Sequence, residues 1–91
     1  MMKAKERKER FNKLSEYGCC ICKMPTEIHH LVGFKYRGMG QKATDDNTIP
    51  LCVHHHRGSQ GIHHLGTRSW EKVYGEQEHY LKKINKYLDG E

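Results

Sequence analysis

A repeated spacing constrains this chain more than any other feature. Cys19-x-x-Cys22 puts two thiols on one turn, and Cys52-x-x-His55 repeats that reach with a thiol and an imidazole. Two donors at this spacing grip one tetrahedral zinc from a single turn, and two such pairs make a closed four-ligand site. Residues 23 to 51 lie between the pairs, a longer spacer than a zinc finger uses, so the gap is expected to hold a hairpin with its own role. Cys20 stands beside Cys19, but Cys20-x-Cys22 has the poorer geometry, so Cys20 reads as a buried spare.

A staple of this kind is needed. The chain has 91 residues, of which 35% are apolar and 30% charged. A domain of this size buries only about 60–65% of the surface its unfolded form exposes, so a hydrophobic core alone is marginal. A structural zinc contributes roughly 10–16 kcal/mol of apparent binding energy to folding. Four Cys accompany eight His, and disulfides have no use for histidine. The charged N-terminus and the lack of a long apolar run lead us to expect a cytoplasmic protein outside the membrane, in a compartment where thiols stay reduced. A net charge of +5 and a pI near 9.1 suit a polyanionic partner, most simply nucleic acid.

The pattern along the chain predicts an α+β domain over 1–91. Residues 1 to 17 read as a basic N-terminal helix, capped by Gly18, with Phe11 and Leu14 docking one side. Residues 19 to 66 read as the zinc knuckle and the core, with strands over Thr26 to Val32 and Asn47 to Leu51. Pro50 weakens the second strand. A helix starts near Cys52, and Gly58 to Gly66 reads as a Gly/His-rich loop. Residues 67 to 89 read as C-terminal helices. Thr67 is the expected N-cap, Trp70, Val73 and Tyr74 share one face, and Tyr80, Leu81, Ile84, Tyr87 and Leu88 share another.

With His55 spent on the first site, three histidine groups remain: His29-His30, His56 with His54, and His63-His64. One nitrogen from each group would make a second site with an open position, as zinc at three imidazoles keeps room for water or substrate. All-imidazole donors favour a transition metal over magnesium. Lys35, Arg37 and Lys42 in a Gly-rich loop, together with Arg57, are candidates for phosphate contacts that are salt-dependent and blind to sequence.

The order of these features resembles the His-Asn-His (HNH) nucleases, which share a ββα-metal fold. The matching run is Ile28-His29-His30-Leu31, then Asp46-Asn47, then Pro50-Leu51-Cys52-Val53-His54-His55-His56. The resemblance implies that His29 binds the catalytic metal, that His30 is the general base, and that Asn47 braces the loop and orients that base. It is closer to the phage recombination-enhancement (Ref) nucleases, which act on DNA in RecA filaments. Arg57-Gly58, Gly61-Ile62-His63-His64-Leu65-Gly66, Trp70-Glu71 and Tyr74-Gly75 extend the likeness, which covers roughly residues 17 to 80. Many HNH proteins place the last ligand on the same helix as the preceding one. Here Ser59 and Gln60 occupy that stretch, so His63 and His64 compete, and His63 is preferred.

The resemblance thus implies a DNA endonuclease that hydrolyses phosphodiester bonds by a one-metal mechanism. Structural zinc is expected at Cys19, Cys22, Cys52 and His55. A second divalent ion, Zn2+, Mn2+ or Mg2+, is expected at His29, His56 and His63. DNA is the expected partner, with a RecA-type recombinase filament as a second. The rival reading is a non-catalytic zinc module that binds DNA or protein, which has no use for the remaining histidines.

Overall fold

The computed structural model describes residues 3–33 and 44–90. Helix α1 spans Ala4–Tyr17, strands β1 and β2 span Glu27–His30 and Thr48–Leu51, and four helices follow. These are α2 (Val53–His56), α3 (Ile62–Leu65), α4 (Thr67–Tyr74) and α5 (Gln77–Leu88). The two strands pair antiparallel, with His29 opposite Ile49 and His30 opposite Thr48. The architecture is α+β, as the sequence pattern predicts. The sheet tolerates Pro50 because its carbonyl points away from β1, where it accepts the Cys20 N–H at 3.0 Å, so the N–H that proline lacks lies on that same outer side and is not needed by the ladder.

The core gathers Leu14 from α1, Leu31, Ile49 and Leu51 from the hairpin, Ile62 from α3, Trp70 from α4, and Leu81 and Ile84 from α5. Cys19 and Cys52 belong to the same cluster, so the knuckle is part of the core and not an appendage. α1 carries more than a solvated face. Arg10, only 8% exposed, donates Nε to Thr48 Oγ1 (2.9 Å), Nη2 to the Thr48 carbonyl (2.8 Å) and Nη1 to Asn85 Oδ1 (3.1 Å). One guanidinium thereby ties α1, β2 and α5 together with three bonds. Burial lowers its pKa, partly offset by Asp46.

Three local expectations change. The loop expected over residues 58 to 66 contains α3, because the chain reverses closely enough at Gly61 to start a helical turn. A Cβ on Gly61 would lie 2.5 Å from Arg57 N, so only glycine allows this approach. Thr67 is the first helical residue of α4 rather than its cap, a place taken by Gly66 at φ 89. Val73 is 65% exposed and Tyr87 38% exposed, while the polar Gln77 is buried at 1%. On these short helices the apolar stripe is narrower than the apolar residues alone imply.

Candidate metal centres

The knuckle is shaped by its backbone. Gly18 at φ 83 opens the turn, and a Cβ there would lie 2.7 Å from the Lys23 carbonyl. Lys23 itself takes φ 67, and its N–H closes on the Cys19 carbonyl at 2.8 Å. The Ile21 N–H points at Cys19 Sγ at 3.4 Å. Cys52 sits at the cap of α2 and places His55 one turn on.

The four donors converge. Cys52 Sγ lies 3.2 Å from His55 Nδ1 and 3.6 Å from Cys22 Sγ. His55 Nδ1 is 3.7 Å from Cys22 Sγ and 3.9 Å from Cys19 Sγ. Donors around a tetrahedral zinc, bonded at about 2.3 Å for sulfur and about 2.0 Å for nitrogen, stand about 3.3–3.8 Å apart. The group therefore fits an ion such as zinc. All four cysteines are free thiols. Burial acts to raise the Cys19 thiol, but N–H groups of Cys52, Cys22 and Ile21 outweigh it and bring it below its ordinary value. Burial lowers His55, which favours the neutral, ligating form. Cys20 stands outside the group, as expected of a spare, but is half-buried rather than buried, and burial is the main cause that pushes its thiol up to about 12.

A second group gathers His29, His56 and His63, with one ring nitrogen of each within 4.8 Å of the others. Strand alternation selects its members. Residues two apart on a strand share a face, so Glu27 and His29 point together, and both reach α2. His56 and His63 bring their Nε2 atoms to 3.1 Å. The opposite nitrogen of His56, Nδ1, meets Glu27 Oε1 at 2.9 Å, and His29 Nε2 meets Gln77 Oε1 at 2.9 Å. His29 Nδ1 is buried without a hydrogen-bond partner. A buried polar atom left unpaired is costly, and a cation among three imidazoles would satisfy it. His29 is held down at about 4, chiefly by burial and further by His56, His63 and His30, against the hydrogen bond to Gln77. It is thus neutral near pH 7 and fit to ligate. His64 is exposed, does not belong to this group, and leaves the place to His63.

His55 and His56 are adjacent on one turn of helix yet serve different groups. A zinc held through Cys52 and His55 would also fix the helix that presents His56.

The remaining site residues fall on other surfaces. His30 lies on the face of β1 opposite His29, where its Nε2 meets Asp45 Oδ1 at 2.8 Å and its ring stands edge-on to Phe11 of α1. Arg7 closes on the same Asp45 at 3.6 Å. The Asp45 carboxyl is held below its ordinary range, first by the hydrogen bond with His30. Asn47 braces the loop through its backbone, since its carbonyl accepts the Leu31 N–H at 3.0 Å. Its side chain donates to Thr44 Oγ1 at 3.2 Å, and the group that holds His30 is Asp45. Arg57 is bound to Glu27, with Nε at 3.1 Å from both carboxylate oxygens and Nη2 at 2.8 Å from one. Glu27 is driven down to about 2, chiefly by the Arg57 hydrogen bond and then by His56. Lys35, Arg37 and Lys42 lie outside the described residues.

Sequence reading missed Glu27, Asp45 and Gln77. Glu27 was accessible from alternation with His29 along one strand face. Gln77 carries no local signal, because a polar residue at a helix start is ordinary.

A small α+β fold with one Cys/His group and one all-histidine group, each of which could hold a metal ion, is the class these observations define. The chain belongs to the family described as Protein of unknown function (DUF968), whose model matches residues 3–89. It is 37% identical over 84 residues to an uncharacterized Escherichia coli K12 protein, YdfU. That match covers 90% of this chain and 22% of YdfU, so the chain spans under a quarter of that relative's length. No solved structure matches the chain. Among the described residues, no helix is long and apolar enough to cross a membrane.

Proposed function

We propose that this chain is a metal-dependent DNA endonuclease of the HNH type, in which β1, β2 and α2 form a ββα-metal unit. The observation that carries the reading is the convergence of His29, His56 and His63 beside a separate Cys/His group. A chain that needed only a structural staple would need only the first group. Three imidazoles leave one tetrahedral position for water or a phosphate oxygen. Their nitrogen donors favour Zn2+ or Mn2+ over Mg2+. A divalent ion held there would supply Lewis-acid stabilisation of the phosphate and the leaving oxygen.

In this reading His30 takes the proton of the attacking water. Asp45 on Nε2 leaves Nδ1 as the basic nitrogen and holds the ring in place. Asn47 keeps the end of β1 against the start of β2 through Leu31. The net charge of +5 supports a DNA substrate, with Lys35, Arg37, Lys42 and Arg57 as phosphate contacts.

The test is cleavage of plasmid and displaced-strand DNA by wild type and His30→Ala, with added Zn2+ or Mn2+, with and without a recombinase filament. His30→Ala should keep its fold, metals and DNA binding yet lose about 10²–10⁴-fold in rate, the usual contribution of general-base catalysis. Equal rates would remove His30 from the mechanism.

One observation favours a second reading, a zinc-binding DNA or protein interaction module. The contacts of His30 lie on the α1 side of β1, on the face opposite His29. Absence of cleavage by wild type under all of these conditions, with DNA binding retained, would decide for the module.

A further inference from the structure

The start of α5 lies far along the chain from the hairpin, yet it places one buried side chain against His29. Gln77 is 1% exposed and is the first residue of α5. Its backbone N–H donates to Glu71 Oε2 at 2.8 Å. Its side chain clasps the backbone of Val32, just past β1. Oε1 accepts the Val32 N–H at 3.0 Å, and Nε2 donates to the Val32 carbonyl at 3.0 Å. The reversed amide would set donor against donor and acceptor against acceptor at Val32, so only this orientation satisfies both.

That orientation dictates the proton on His29. Oε1, an acceptor only, meets His29 Nε2 at 2.9 Å. A bare Nε2 would oppose two lone pairs at that distance, so Nε2 carries the hydrogen. The lone pair of a neutral ring then sits on Nδ1, the buried atom without a partner. From this geometry we infer that Gln77 is a positioning residue that fixes His29 in the Nε2–H tautomer and so makes Nδ1 its metal-binding atom. This rests on the metal-site reading of His29, His56 and His63. It assigns to the C-terminal helix a role in that site beyond core packing. Glu27 does the complementary task for His56, accepting at Nδ1 and leaving Nε2 toward His63. The three-imidazole site is therefore assembled from mixed nitrogens, Nδ1 of His29 and Nε2 of its neighbours.

The test compares wild type, Gln77→Leu and Gln77→Glu, each purified with the thiolate-bound metal in place. Long-range proton–nitrogen NMR reads the His29 tautomer, and Zn2+ titration against a competing chelator reads affinity at the second site. Wild type should show Nε2–H. Gln77→Leu should lose the single tautomer and bind the second Zn2+ about 10–100-fold more weakly, the usual cost of losing a partner of a ligating histidine. Gln77→Glu keeps an acceptor at Nε2 and should restore both. A merely structural role would not predict this rescue, since a carboxylate cannot donate to the Val32 carbonyl. An Nδ1–H tautomer in wild type would overturn the inference, as would undiminished Zn2+ affinity in a folded Gln77→Leu. Should Gln77→Leu not fold, wild type and Gln77→Glu decide through the tautomer. Should wild type bind no second Zn2+, the metal-site reading falls while the tautomer still judges Gln77.

Discussion

The Cys/His group and the all-histidine group share the short helix α2 but are built on opposite plans. Cys19, Cys22, Cys52 and His55 supply four donors from two tight local turns, and two of the thiols lie in the hydrophobic core. The second group has three donors, drawn from β1, α2 and α3. Two of its rings are held from behind by side chains that do not join it, Gln77 and Glu27. Four donors suit a closed structural ion, and three suit an ion with a position to spare. The difference also shows in exposure, since His63 is exposed whereas Cys19 is fully buried.

The sharpest way to break this contrast is to remove a ligand from each group in turn. Cys52→Ser should abolish cooperative folding, because the apolar core is small and the thiolate group lies within it. Circular dichroism melting and elemental analysis would read this. An unchanged melting temperature would strip the first group of its structural role. His63→Ala should behave differently. His63 is exposed, so its loss should leave the melting temperature of the zinc-loaded protein within a few degrees. Bound metal should fall from two ions per chain to one, with cleavage falling at least tenfold. Wild type that never exceeds one metal per chain would erase the distinction.

The first group was legible in the sequence because its logic is local. A turn of four residues brings Cys19 to Cys22, and no tertiary information is needed to pair them. The hairpin was legible as well, from β-branched and apolar residues flanked by turn formers. Membership of the second group was only partly so. Alternation on β1 separates His29 from His30 without tertiary knowledge. The choice of His63 over His64 depends on how α3 leaves Gly61, which periodicity does not encode. Gln77, Asp45 and Arg10 were invisible for a physical reason. Each is an ordinary polar residue whose partner lies across the fold, 48 residues away for Gln77 and His29 and 38 for Arg10 and Thr48.

A pH titration probes the second group without removing a ligand. The folded protein holds His29 at about 4 against an ordinary value of 6.5, mainly through burial. Below pH 6.5 the unfolded chain takes up a proton that the folded chain refuses, so stability declines as pH falls from 6.5 to about 4 and levels off below that. The shift corresponds to on the order of 3 kcal/mol. Urea denaturation of protein carrying only the thiolate-bound zinc, beside His29→Gln, would isolate this contribution. Wild type should lose stability relative to the variant across that window. Parallel pH profiles would show that burial of His29 carries no such cost.

The smallest expected effect concerns Arg57, which the sequence offers as a phosphate contact and the structure binds to Glu27. The side chain is 63% exposed, and a pair so open to water contributes little to stability. Arg57→Gln should therefore barely move the melting temperature. Its consequences separate two roles. If Arg57 serves the second group, its loss frees Glu27 from a competitor and leaves the carboxylate on His56 Nδ1, so metal affinity changes little and DNA binding not at all. If Arg57 also reaches a phosphate, DNA affinity falls for every sequence alike, and the slope of log K against log salt becomes shallower by about one. Nη1 is the guanidinium nitrogen that makes no bond to Glu27. We expect the second outcome, with Arg57 contacting the phosphate through Nη1 while Nε and Nη2 stay on the carboxylate. An unchanged salt slope would confine Arg57 to the support of Glu27.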